Sequence, residues 1–386
     1  MKTTFAALAA TALIASGANA QTRGVTDDEI IIGAYQDLSG GFAAFSVPAV
    51  EAVNQLFEEV NAAGGIHGRQ LRYIVEDHGY QVPRAAQAAN KLVNRDNVFA
   101  MLLSLGTPHN LAAFRVMDPN GVPSVFPLTA ARQMIEGPEE LRYTATASYY
   151  DGVRAAAGFL IEGQGIETVC SMYIPSDFGE EIHEATVDEA EARGVNYAAE
   201  TTHRPDESDF TGALARLREA GCELITVALT IRPTITVVAT AKQMGWDDAR
   251  FLVSSAGFHT AIAKVPGGIT EGLYAGAGWQ DLEARMETPE VAEWVATMMD
   301  RTGEFPGTGA LLGQSAAHAL VNALEIAGPD LTLESFTAAM ETLDYDDPIA
   351  GNHMQMGPGD HEGATEIFIS QIQDGGWVLV DTVETD

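Results

Sequence analysis

Apolar residues follow one another along this chain in two alternating rhythms. The run EIIIGAY from Glu29 is short and continuous, as in a strand buried on both faces. Val47, Val50, Val53, Phe57 and Val60 then recur at three- and four-residue steps and stop at Ala62-Ala63-Gly64-Gly65, as in an amphipathic helix with a glycine end. The pair repeats in LRYIVED with Ala85, Ala89 and Leu92. It repeats again in VFAMLL with a helix from Thr107 to Asp118, which Pro119-Asn120-Gly121 ends before VPSVF. After LRYTATASYY the alternation restarts with TVCSMY, a helix near Ile182 to Ala190, YAAETT, and a helix face of Phe210, Leu214 and Leu217. ELITVAL, a helix through Ile235, Val238 and Ala241, and RFLVSS complete this second series. Residues 281–341 read as mostly helical, and TEIFISQI…GGWVLV as a hairpin with Gly375-Gly376 after its turn. Buried strands alternating with helices predict an α/β fold of two doubly wound parallel-sheet lobes, with no low-complexity linker and no short repeat.

The first twenty residues break this pattern. MKTTFAALAATALIASGANA has Lys2, an apolar run from Phe5 to Ala15 and then Ala18-Asn19-Ala20, the grammar of a secretory signal cleaved before Gln21. An uncleaved anchor is the alternative. The run is too short to span a bilayer, and no later run is long and apolar enough to do so. No Cys follows the cleavage point, so the expectation is a diffusible periplasmic protein without a lipid anchor. About 366 of the 386 residues remain, more than one core usually holds.

Charge narrows the partners. With 21 basic and 54 acidic residues the formal net charge is −33, which repels nucleic acid and anionic lipid and suits a salty medium. Cys170 and Cys222 stand in or at the start of apolar strand-like runs. An oxidising compartment permits a disulfide, yet free buried thiols are the favoured reading. Nine histidines show no ligand spacing, so neither a metal nor a cofactor is expected. G-x-S-x-G, G-x-x-x-x-G-K-[ST], H-E-x-x-H and a strand-to-helix G-x-G-x-x-G are all missing. DHGY at 77–80 and GDHEG at 359–363 read as solvated turns, so an enzyme is not expected.

Binding is the stronger reading, because open α/β sheets take ligands at the carboxyl ends of their strands. The candidates there are Phe45, Thr107, Leu128, Thr129, Ala130, Tyr149, Tyr150, Phe178, Thr230 and Ala256. Each alone has a structural explanation: Thr107 as N-cap with Pro108 as the first helical residue, Phe178 as a core ring, Thr230 as a cap, the tyrosine pair as a helix start. Together they place rings and hydroxyls on consecutive strand ends of two lobes.

DLSGGFAAF, NAAGGIHGRQLRYIVEDHGY, AANKLV, GVPSVFPLTAA and PSDFG resemble the periplasmic substrate-binding proteins of the branched-chain amino acid type, the receptors that feed ABC importers. The resemblance runs from about Glu29 to about Gly257. It implies a monomer of two lobes joined by three crossings, lobe 1 being residues 25–147 with 276–346 and lobe 2 residues 148–275 with 347–386. It also implies a cleft in which Thr107 and Leu128 to Ala130 meet a ligand carboxylate, while Phe45, Phe178 and Thr230 surround the rest. Amino-acid members hold the ligand ammonium with carboxylates at places where this chain has Ser148-Tyr149 and Ala256, and one hydroxyl position of the carboxylate site reads Ala130. A buried ammonium without a carboxylate is under-compensated by several kcal/mol. The expected guest is therefore an aromatic or other small organic carboxylate lacking an α-amino group, delivered to permease subunits. Arg232 and His259, near in sequence, are candidates for positive charge. The rival readings are a branched-chain amino acid or small amide binder, an enzyme, and the sensing domain of a receptor.

Overall fold

The structure is a computed structural model that describes residues 22–384, so the proposed signal peptide lies outside the described residues. Strand β1 (Glu29–Gln36) leads to helix α1 (Ala43–Ala62), β2 (Gln70–Asp77), α2 (Val82–Asn94), β3 (Ala100–Leu102), α3 (Thr107–Met117), β4 (Ser124–Val125) and β5 (Arg142–Tyr143). These five strands form a wholly parallel sheet in the order β2-β1-β3-β4-β5. The turn between α1 and β2 depends on glycine. Gly65 has φ +72°, and a Cβ there would lie 2.0 Å from the Arg69 carbonyl oxygen.

The second sheet follows: α4 (Tyr149–Gln164), β6 (Thr168–Tyr173), α5 (Asp177–Arg193), β7 (Asn196–Thr202), α6 (Thr211–Glu219), β8 (Leu224–Ala228), α7 (Ile231–Gln243), β9 (Arg250–Val253), α8 (Thr260–Ala263) and β10 (Tyr274–Ala277). The chain then returns over the first sheet with α9 (Pro289–Thr302), α10 (Gly307–Ala327), α11 (Leu333–Met340) and the two-stranded β11 (Asp344–Asp347) and β12 (Asn352–Gln355). It ends on the second sheet as the hairpin β13 (Glu366–Gln373) and β14 (Gly376–Glu384). That sheet has seven strands, in the order β14-β13-β10-β9-β8-β6-β7. Its edge is the hairpin predicted for the last strands, β13 and β14 pairing antiparallel, with β13 antiparallel to β10 as well. The turn is Asp374-Gly375, both with positive φ, which matches the twist of a tight hairpin.

Helix α10 fixes the shape of the first unit. Cβ atoms added at Gly309 and Gly313 would lie 2.3 Å from the carbonyl oxygens of Phe45 and Ala49, so these glycines let α10 lie directly on α1. The third passage between the sheets also differs from expectation. Met354 and Met356 pack with the first sheet, and Gly363 donates its N–H to Thr144 O at 2.8 Å, so the chain leaves that unit near residue 364 rather than 347. The cysteines are a further correction: Cys170 on β6 and Cys222 before β8 are disulfide-bonded, with Cα atoms 5.8 Å apart. Both are buried as their apolar runs predicted, but neighbouring parallel strands bring the thiols together.

Candidate functional site

Between the carboxyl ends of the two sheets lies a cavity with about 850 Å3 of space, part of it open to solvent. The G-T-P turn forms one wall, although not as the sequence suggests. The N-cap of α3 is Gly106, whose φ of 99° suits glycine, and Thr107 is the first helical residue. The Thr107 hydroxyl makes no cap; it lies 2.7 Å from the Thr129 hydroxyl, one strand along the sheet. Tyr149 brings its phenol within reach of Thr129, and Tyr80 is close to Tyr149. Burial pushes the Tyr149 phenol up to about 12 and that of Tyr80 up as well, so both are neutral donors. The Ala130 backbone N–H is also within hydrogen-bond reach of the Tyr149 phenol oxygen. Two threonine hydroxyls and two phenols thus belong to one wall of the cavity.

Aromatic rings close the cavity across the sheets. Phe178 stands edge-on to Phe42 at 6.0 Å and to Tyr149 at 5.4 Å, joining the two units. It is held there by the turn that carries it, since a Cβ on Gly179 would lie 2.0 Å from the Ile174 carbonyl oxygen. Phe45 packs on His259 at 4.3 Å. Leu103 and Phe126, at the ends of β3 and β4, line the cavity with left-handed backbones (φ 60° and 48°), which is where strained residues of a binding site tend to gather.

Of the ten residues expected at a site, Phe45, Thr107, Leu128, Thr129, Ala130, Tyr149, Phe178 and Ala256 line this cavity, and Tyr150 and Thr230 do not. The Tyr150 hydroxyl donates to Asp188 at 2.6 Å, and its ring lies under the Arg132 guanidinium at 3.7 Å. The Thr230 hydroxyl donates to Pro205 O at 2.9 Å, while its side chain meets Gly41 across the cleft mouth. Arg232 is exposed outside the cavity, and His259 stands behind Phe45. The residues that sequence reasoning missed come from sequence-distant segments: Phe42, Tyr80, Thr144, Trp279, Leu312, Ser315 and Asn352. No Asp, Glu, Lys, Arg or His is among the lining residues.

Charged groups sit behind the walls instead. Glu181 on α5 accepts from the amide of Arg132 at 3.1 Å and of Tyr150 at 3.3 Å, and burial raises its carboxyl to about 7. His259 Nε2 donates to Ala44 O at 3.1 Å while Nδ1 accepts from the Ala261 amide at 3.0 Å. Burial lowers its pKa to about 4. Within the half-buried DHGY turn His78 is fully buried: it stacks on His109 at 4.5 Å, and burial lowers these two to about 3 and 4. Glu139, Glu341 and His361 gather although the sequence shows no ligand spacing. There Nδ1 of His361 bonds the carbonyls of Glu139 and Arg142 at 3.0 and 2.9 Å, and Nε2 faces Glu341 at 3.4 Å.

A sequence profile of the family described as "Periplasmic binding protein" matches residues 29–376. The chain belongs to this family. A Leu/Ile/Val-binding protein homolog of Brucella abortus is 23% identical over 91% of this chain and 90% of its own length. An amino acid binding protein of Pseudomonas aeruginosa, also 23% identical, is matched over 51% of this chain and 53% of its own length. Among solved structures, the fatty acid ABC transporter substrate-binding protein of Thermomonospora curvata superposes with a TM-score of 0.85, at 22% identity and 95% coverage of both chains. An ABC transporter solute-binding protein of R. palustris in complex with benzoate gives 0.79 at 15% identity, covering 92% of this chain and 96% of its own. These likenesses give the type I periplasmic binding fold, as the motifs implied, and the family implies a place outside the cytoplasm. No helix among the described residues is long and apolar enough to cross a membrane.

Proposed function

We propose that this protein captures a small organic carboxylate without an α-amino group in the cavity between its lobes, and delivers it unchanged to the permease of an ABC importer. The observation that carries this is the cavity lining, which brings the hydroxyls of Thr107, Thr129, Tyr149 and Tyr80 to one wall but contributes no charged side chain. A carboxylate can be held by several neutral donors, each such hydrogen bond being worth roughly 1.5–3 kcal/mol. An ammonium finds no carboxylate in the lining to offset its desolvation. Phe42, Phe45, Phe178 and Tyr149 supply rings for a flat or apolar body. The structural neighbours named for benzoate and for fatty acid give the carboxylate reading company, and those named for amino acids are the alternative. Export by the signal peptide over residues 1–20 and action as a monomer belong to the same proposal.

The test is a thermal-shift panel of aromatic acids, aliphatic acids, amino acids and amides, followed by calorimetry. A ligand at 100 times its dissociation constant adds about 2.7 kcal/mol of stability. Binding of benzoate or a medium-chain acid with no response to leucine supports the proposal; micromolar leucine binding replaces it with the amino-acid reading. Turnover of the ligand would make the protein an enzyme.

A further inference from the structure

We propose that the cavity holds a second polar subsite at Thr144, Trp279 and Asn352, which binds a hydroxyl or carboxamide of the ligand remote from its carboxylate. The inference rests on the carboxylate reading and adds a second recognised group. Two of the three stand where the chain passes between the sheets, Thr144 after β5 and Trp279 after β10, and Asn352 opens β12 on the returning segment ahead of the third passage. All three line the cavity, and they are only 6%, 5% and 6% exposed. Each carries a buried polar atom without a hydrogen-bond partner among the described residues: Thr144 Oγ1, Trp279 Nε1 and Asn352 Oδ1.

Their chemistry defines the guest. The Asn352 amide is oriented by its Nδ2, which donates to Gly278 O at 2.7 Å, so the free atom is an acceptor. The indole N–H of Trp279 is a donor only, and the Thr144 hydroxyl serves as either. A buried polar group left unpaired is costly, and three on residues that line one cavity call for a group that both donates and accepts. An alcohol, a phenol or a primary amide does both, and a plain hydrocarbon end does neither. In the order β3-β4-β5 the strand before Thr144 lies two places from the strand before Thr107. At about 4.8 Å per strand, that separates the two polar groups by on the order of 10 Å.

The experiment is calorimetry on the mature chain with paired acids: benzoate and 4-hydroxybenzoate, cinnamate and 4-hydroxycinnamate, octanoate and 8-hydroxyoctanoate. The polar-tipped member of at least one pair should bind ten-fold or more tightly than its plain partner. Thr144→Val and Trp279→Phe should each erase that preference, whatever each does to the affinity for the plain acid, because the ratio within a pair cancels losses common to both members. Acids that bind with no preference, or a preference that survives both substitutions, overturn the subsite and leave the carboxylate reading intact. If no acid binds, the carboxylate reading falls and the subsite with it.

Discussion

At the scale of single residues the decisive pair is Thr107 and Thr129, whose hydroxyls are 2.7 Å apart. One must donate to the other, so only one of the two protons is free for a ligand. Thr107→Val and Thr129→Val keep the shape and remove the hydroxyls. Each should weaken carboxylate binding by roughly 1–3 kcal/mol, and the double variant should lose less than the sum, a coupling that a calorimetric double-mutant cycle reads directly. The sequence placed both residues at strand ends because strand order and helix starts are local signals. It gave Thr107 the wrong partner, since the positive φ of Gly106 moves the N-cap back by one. The Thr230 hydroxyl likewise turns to a carbonyl 25 residues away, which no local rule anticipates.

At the scale of elements, strands and helices were legible because the period of burial changes from continuous runs to three- and four-residue steps. What brings two elements into contact was not. Cys170 and Cys222 are 52 positions apart and meet because β6 and β8 are neighbours in the sheet. Replacing both with alanine should cost about 4 kcal/mol on chain-entropy grounds for a loop of that size. Urea denaturation checks this, and ligand affinity should hold because neither cysteine lines the cavity. The close approach that Gly309 and Gly313 permit was equally silent in the sequence. Gly313→Ala forces a Cβ towards the Ala49 carbonyl and should destabilise by roughly 1–3 kcal/mol. Because Leu312, Ser315 and Ala316 on α10 line the cavity, affinity should fall along with the melting temperature.

At the scale of the whole molecule the two units touch through groups whose charge depends on pH, and two of these work against each other. His259 reaches across to Ala44, and the folded arrangement needs it neutral, because a proton on Nδ1 would face the Ala261 amide. Burial depresses its pKa from 6.5 to about 4, so its contribution to the stability of the fold is whole above 6.5 and is lost as pH falls towards 4, at about 1.4 kcal/mol per pH unit for one proton. Glu181 accepts from the Arg132 amide across the same gap, and burial raises its pKa from 4.5 to about 7. Its contribution is therefore whole below 4.5 and is lost as pH rises through 7. Over the shared interval, from about pH 6.5 down to 4.5, one group gives up stability as the other gains it. His259→Gln keeps a side-chain N–H for Ala44 and removes the titration, leaving Glu181 alone, so relative to the native protein its stability should rise as pH falls. Glu181→Gln leaves His259 alone, so its stability relative to the native protein should fall over the same range. Urea denaturation of the three proteins at pH 7.5, 6.5 and 5.5 decides it, since parallel stability curves would mean that neither group titrates differently in the folded and unfolded chains.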